Sequence, residues 1–221
     1  MDKFTTWKAI AVPFDQANID TNQLCPTRFN KVEKGPKYAE VLFHDLRFDA
    51  GGGEKADFVL NKPPYRDAGI IVADRNFGCG SSRESAVYAL ATFGIRSIIA
   101  PSFGDIFSNN CFKNSVLPVA LDADACGAIR GQLHAHVGAE ITVDLARQIV
   151  IDVEGQAHPF DVHPLRKRCL LNGLDDISLT AEFRDAIEQF ETAYRREVTW
   201  LCPDGGSVEA GERPNSARNR A

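Results

Sequence analysis

GIIVADRNFGCGSSRE, residues 69–84, sets an apolar run, a glycine-rich turn and a polar cluster in direct succession. A short continuous apolar run bounded by turn formers suits a strand buried on both faces. Just beyond, Ala86, Ala89, Leu90 and Phe93 fall at i, i+3, i+4 and i+7, the spacing of one helix face, and Gly94 stands where a left-handed C-cap is wanted. SIIA (97–100) reads as a second strand, GDIFSNNCF (104–112) as a helix and LPVAL (117–121) as a third strand. The βαβαβ alternation predicts an α/β fold with a central sheet flanked by helices.

Working outward, WKAIAVPF (7–14) reads as a further strand, and NIDTNQLCP (18–26) as an Asx-rich turn before Pro26. Residues 28–56 form a long irregular excursion closing on Gly51-Gly52-Gly53, the kind of segment that carries function. FVLN (58–61) is expected to be a short strand and PPYRD (63–67) a turn. On the other side, DADACGAIRGQLHA (122–135) suits a helix, EITVDL (140–145) and RQIVIDV (147–153) a β-hairpin, and HPFDV (158–162) a strand joining it. A helix over Pro164–Asn172 is ended by Gly173, and Phe183, Ile187, Phe190 and Tyr194 mark a last amphipathic helix. The expected organisation is one domain over residues 1–200, with a C-terminal β-hairpin/helix extension, and a disordered, turn-rich tail over 201–221.

The bulk numbers narrow the function. The chain has 221 residues, 44% of them hydrophobic, and a formal net charge of -5, which gives no basic footprint for nucleic acid or an anionic membrane. The N-terminal MDKFTTWKAIAVPF lacks the pattern of a secretory signal, and a cytoplasmic location is expected. Cys25, Cys79, Cys111, Cys126, Cys169 and Cys202 never fall at C-x-x-C spacing, so an iron–sulfur cluster is expected to be held, if at all, by another polypeptide. His134, His136, His158 and His163 lack partners at zinc-ligand spacing and are read as structural or surface residues.

NFGCGSSRE (76–84) lies where open α/β sheets place ligands, after the C-terminal end of a strand and before a helix. Ser81 and Glu84 match the S-x-x-E capping box, Arg83 supplies a fork suited to a carboxylate, and Gly80 allows close backbone approach. These features suit a small carboxylate pocket. They equally suit a plain strand-to-helix connection with a capping serine and a solvated arginine. A dinucleotide fingerprint is disfavoured because Arg83 replaces the third glycine, and the same residue removes the second glycine of a hydrolase nucleophile elbow.

NIDTNQLCP (18–26), DFVLN (57–61), NFGCGSSRE (76–84), IIAPSFGDIFSNNCFKNSVLPV (98–119) and LLNGLDDISLT (170–180) occur in this order. The succession resembles the small subunit of 3-isopropylmalate dehydratase (isopropylmalate isomerase), a family related to the last domain of aconitase. The resemblance implies a swivelling β/β/α domain, an aconitase-like large-subunit partner carrying a [4Fe–4S] cluster, no metal held by this chain, and a small dicarboxylic hydroxy-acid substrate. It places the catalytic base on Ser81 and carboxylate binding on Ser82 and Arg83. Gly80, Asp20 and Thr21 are expected to line the same cleft, although a loop-stabilising turn also accounts for Asp20 and Thr21. For Asn109, Asn110 and Lys113, capping or lining the sheet fits at least as well as contact with substrate.

The sequence departs from the family at three places: Asp20-Thr21-Asn22 stands for D-T-D, Arg83-Glu84-Ser85 for R-E-H, and Val32-Glu33-Lys34-Gly35-Pro36-Lys37-Tyr38 for a loop that often carries arginine, threonine and glycine. Lys34, Gly35 and Lys37 are thus the candidate specificity residues, and a lysine does not reproduce an arginine fork. The expected function is the small subunit of a hydro-lyase interconverting 2- and 3-isopropylmalate in leucine biosynthesis. The alternatives are a relative acting on citramalate/citraconate or dimethylmalate and, from a different class, a stand-alone anion- or nucleotide-binding module.

Overall fold

A computed structural model of the chain describes residues 1–80, 83–198 and 200. It contains two compact units, Met1–Asp175 and Asp176–Ala221. The tail expected over 201–221 lies outside the described residues.

The first unit is built on a seven-stranded mixed sheet of order β4-β3-β2-β1-β5-β6-β7, where β1 is Thr6–Phe14, β2 Ile70–Ala73, β3 Ser97–Ala100, β4 Leu117–Ala120, β5 Glu140–Asp144, β6 Ile149–Ile151 and β7 Ala157–Pro159. β1 to β4 pair in parallel, and β5 to β7 run antiparallel from the other edge of β1. The α/β class and the flanked central sheet are as the sequence predicts. The expected hairpin extends that same sheet, because Thr6–Ile10 pairs with β5 while Ala11–Phe14 pairs with β2.

The apolar runs explain the layering. β2 and β3 are buried at every residue, as parallel strands covered on both faces must be. Side chains alternate between two cores: Val12, Ile71 and Ile98 enter one, and Ala11, Ile70, Val72 and Ile99 the other. The first core is closed by helix Glu84–Phe93 and by residues 19–65; the second by helix Ala123–Ala135 and by Leu170. In chain order the helices are α1 (Thr21–Leu24), α2 (His44–Arg47), α3 (Glu84–Phe93), α4 (Asp105–Lys113), α5 (Ala123–Ala135) and α6 (Pro164–Asn172). Gly94 and Gly173 end α3 and α6 in the left-handed region, as predicted.

One expectation is corrected. FVLN is a 3-10 turn over Val59–Asn61, not a strand. Asn61 is buried and bonds the Arg47 and Lys55 carbonyls through Nδ2 while its Oδ1 accepts from Arg47 Nε, and the prolines that follow lack the N–H a ladder needs. The excursion over 28–56 also has a structural part: 3-10 turns and α2 place Tyr38, Val41, Leu42 and Phe43 in the first core.

A polar cluster ties the antiparallel strands to α5. The Asp152 carboxylate accepts from His158 Nε2 (2.9 Å), Gln132 Nε2 (3.0 Å) and the Glu154 and Gln156 N–H groups (3.0 and 2.8 Å). Burial alone would raise this carboxyl, but His158, Gln132 and the Gln156 N–H outweigh it and hold it below the usual carboxylate range. A depressed carboxyl stabilises the fold above its unfolded value, about 3.9, and that contribution disappears as pH falls through the folded value. Asp152→Asn is therefore expected to cost about 2 kcal/mol at neutral pH. It should also flatten the loss of stability below about pH 4; urea unfolding at pH 7 and pH 3 checks both.

The second unit contains α7 (Asp176–Ala181) and α8 (Arg184–Glu197). The predicted stripe falls on α8 from its N-cap Phe183 onward, with the Phe190 and Tyr194 rings stacked at 5.6 Å.

Candidate active site

Three loops meet at the C-terminal edge of the parallel strands, where α/β sheets bind ligands. The β2–α3 loop lies between the other two. On one side Gly78 N–H donates to the Ile19 carbonyl (2.7 Å), Thr21 N–H to Cys79 (3.0 Å) and Asn18 N–H to Arg75 (3.0 Å). On the other, Phe77 N–H donates to Ser102 and Gly104 N–H to Phe77, both at 3.0 Å. Asn18 and Asn76 both adopt positive φ and join through their side chains at 2.8 Å, a role asparagine fills because it tolerates the left-handed region.

Gly78 and Gly80 have φ of +72° and +90°. At Gly78 a Cβ would lie 2.2 Å from the Phe107 ring, and at Gly104 one would lie 2.6 Å from the Gly78 carbonyl oxygen, so both glycines are set by close packing. A cavity of about 240 Å³ opens here, lined by Gly78, Gly80, Gly104, Asp105, Ile106 and Phe107.

Asp20 caps α1. Its Oδ1 accepts from the Asn22 and Gln23 N–H groups (both 2.8 Å), while Gln23 Oε1 accepts from the Asp20 N–H (2.9 Å). A capping box is thus formed at Asp20–Gln23. The one expected at Ser81–Glu84 involves Ser81, which lies outside the described residues; α3 begins at Glu84 with Arg83 as N-cap. Glu84 accepts from Asn114 Nδ2 (3.1 Å). The α1 cap brings Thr21 and Asp20 beside Gly80, where a glycine Cβ would sit 3.9 Å from Thr21 Oγ1 and 3.7 Å from Asp20 Cβ.

Arg83, half-buried, reaches back across the same gap: its Nη1 donates to Asn22 Oδ1 (2.6 Å) and, at 3.5 Å, to the Cys25 carbonyl. Gly80, Asp20, Thr21 and Arg83 are therefore brought together. Ser81 and Ser82 lie outside the described residues, between Gly80 and Arg83. The candidate specificity residues sit over α3. Lys34 Nζ is 4.8 Å from the Tyr88 ring centroid, and Gly35 opens the 3-10 turn Pro36–Val41. Lys37 is exposed there, and Tyr38 packs edge-on to Tyr88 at 5.1 Å. Gly35 has extended backbone and open space around it, so no steric reason requires glycine there.

Asn109 bonds its own helix and accepts from Arg166, while His134 pairs with Asp15 at 2.8 Å and His163 caps α6. Among the described residues no three His, Cys, Asp or Glu side chains converge as metal ligands. Cys25, Cys111, Cys126 and Cys169 are buried and Cys79 is half-buried; burial pushes the Cys111 thiol well up and Cys126 to about 11. Sequence reading missed Thr27 and Asn30, and the role of Asn22, in fastening this loop to the start of α3. The one available signal was their density of side-chain amides and hydroxyls beside an Asx turn.

Comparison with known proteins assigns the family. The Aconitase C-terminal domain model matches residues 1–124, and the LeuD_N model residues 128–164. The 3-isopropylmalate dehydratase small subunit of Paramagnetospirillum magneticum is 47% identical over 201 residues, 91% of this chain and 100% of that protein. The chain belongs to the 3-isopropylmalate dehydratase small-subunit family. The small subunit of Gluconacetobacter diazotrophicus is similarly close, 48% identical over 90% of this chain and 97% of its own length. A crystal structure of 3-isopropylmalate dehydratase from Methanocaldococcus jannaschii shares the fold, with a TM-score of 0.59, 23% identity, and coverage of 84% of this chain and 99% of that one. No helix among the described residues is long and apolar enough to cross a membrane.

Proposed function

We propose that this chain is the small subunit of a heteromeric hydro-lyase that interconverts 2-isopropylmalate and 3-isopropylmalate by dehydration and rehydration in leucine biosynthesis. The observation that carries the proposal is end-to-end similarity to small subunits of that enzyme, together with Arg83, Gly80 and Thr21 sharing one sheet edge. The chain acts in the cytoplasm with an aconitase-like large subunit and needs neither nucleic acid nor membrane.

A [4Fe–4S] cluster on the large subunit supplies Lewis acidity toward the substrate's hydroxyl and carboxylate. The rest of the proposal concerns this chain's own residues. Arg83 is anchored through Nη1, which leaves the Nη2 and Nε side of the guanidinium as a fork for one substrate carboxylate. Ser82 adds a hydroxyl donor to the same group. Ser81 takes the proton from the carbon next to the hydroxyl-bearing one, and its alkoxide form is stabilised by the adjacent helix start and the Arg83 charge. Gly80 lets the backbone approach the substrate without a side chain in the way.

Lys34, Gly35 and Lys37 face the choice of side group. With Lys34 over the Tyr88 ring, selection of an alkyl group falls to shape more than to charge. This keeps citramalate and dimethylmalate as alternative substrates. A stand-alone phosphate- or nucleotide-binding module fits less well, because Glu84 and Asp105 put carboxylates in the first turns of both helices at the site.

A bacterium lacking its own small and large subunits tests the reading by growth without leucine. Rescue is expected when this chain is expressed with its large subunit and not when either is expressed alone. Failure of the pair to rescue, with both proteins present and folded, would contradict the proposal.

A further inference from the structure

We infer that Asn22 is a positioning residue for Arg83, setting where the guanidinium meets the substrate carboxylate; the inference rests on the reading of Arg83 as a substrate-binding group. Although 61 residues apart in sequence, the two side chains are joined at 2.6 Å, a short bond of the kind a charged donor makes.

The acceptor itself is held from two directions. Thr27 Oγ1 donates to the same Asn22 Oδ1 at 2.9 Å, and the Asn22 backbone N–H is tied to Asp20 Oδ1 at 2.8 Å in the α1 cap. The chain of bonds therefore runs from the Asp20 cap through Asn22 to Arg83. An arginine side chain has many rotamers to lose, so a fixed acceptor at Nη1 selects the orientation in which the remaining donors can grip a carboxylate. Without Asn22, the acceptor left to Nη1 among the described residues is the Cys25 carbonyl at 3.5 Å, the outer limit of a hydrogen bond. Docking of α3 does not depend on this contact: Ser85 Oγ donates to Asn30 Oδ1 at 3.0 Å, and Tyr38 packs on Tyr88. Asn22 is also exposed, so its loss creates no core cavity.

In the complex with the large subunit, Asn22→Ala is expected to raise KM about tenfold while kcat stays within about twofold and the Tm does not move. Asn22→Asp, which keeps an oxygen for both Thr27 and Arg83, should bring KM back to within about threefold of the parent. In an Arg83→Ala background, Asn22→Ala should add nothing, since the two act as one unit. A parental KM for Asn22→Ala, an Asn22→Asp variant as impaired as Asn22→Ala, or a further KM rise on the Arg83→Ala background would each overturn the positioning role alone. An Arg83→Ala variant with parental KM would overturn the reading of Arg83, and this inference with it.

Discussion

Ser81→Ala in the assembled enzyme is expected to lower kcat by about 10³-fold, the usual weight of a positioned general base. KM should stay near the parental value, because the proposed carboxylate grip rests on Ser82 and Arg83 and a group that acts only in the transition state leaves ground-state binding unchanged. The backbone enters the position through Gly80 at φ +90°, and Arg83, two residues on, is held by Asn22. Exchange of the substrate's carbon-bound proton with deuterated solvent gives a second readout. It should fall in parallel with kcat; parental exchange in the alanine variant would remove Ser81 from proton transfer.

Gly78→Ala should have the largest structural effect, about 3 kcal/mol lost with activity, from left-handed backbone strain and overpacking together. The added methyl would stand 2.2 Å from a Phe107 ring that is itself buried. Moving the turn instead would break the Gly78–Ile19 and Thr21–Cys79 bonds that align the loops. Gly127→Ala is the contrast: nothing lies within 4 Å of its Cβ in mid-α5, and a gain of about 1 kcal/mol is expected from helix propensity. Urea midpoints of the two variants should move in opposite directions, and a parental midpoint for Gly78→Ala would show that the turn is not the rigid element described.

The contrast between these glycines also shows what a sequence can carry. The parallel half of the sheet was legible because GIIVA and SIIA are unbroken apolar runs, and α3 because its apolar face and Gly94 agree on period and end. FVLN misled because Phe, Val and Leu favour strands, whereas the decisive residue, Asn61, acts through bonds to Arg47 and Lys55 that no local pattern announces. The cap of α1 escaped notice for a similar reason: Asp20 and Gln23 stand at D-x-x-Q spacing inside an Asx-rich turn, and the Thr21–Cys79 bond beside them joins two loops distant in sequence. Asn22 was legible as the loss of a carboxylate but not as a partner of Arg83, since that contact exists only once two βα loops have been folded side by side.

The central claim is that this chain completes an isopropylmalate-processing hydro-lyase, and turnover by the reconstituted pair tests it most directly. The chain and its large subunit would be purified together without oxygen, and absorbance of the unsaturated intermediate followed for 2-isopropylmalate, citramalate and dimethylmalate in parallel. The account predicts turnover of isopropylmalate above the other two, and none by either subunit alone. A pair with its cluster fully loaded that turns over only another diacid, or none of the three, would contradict it.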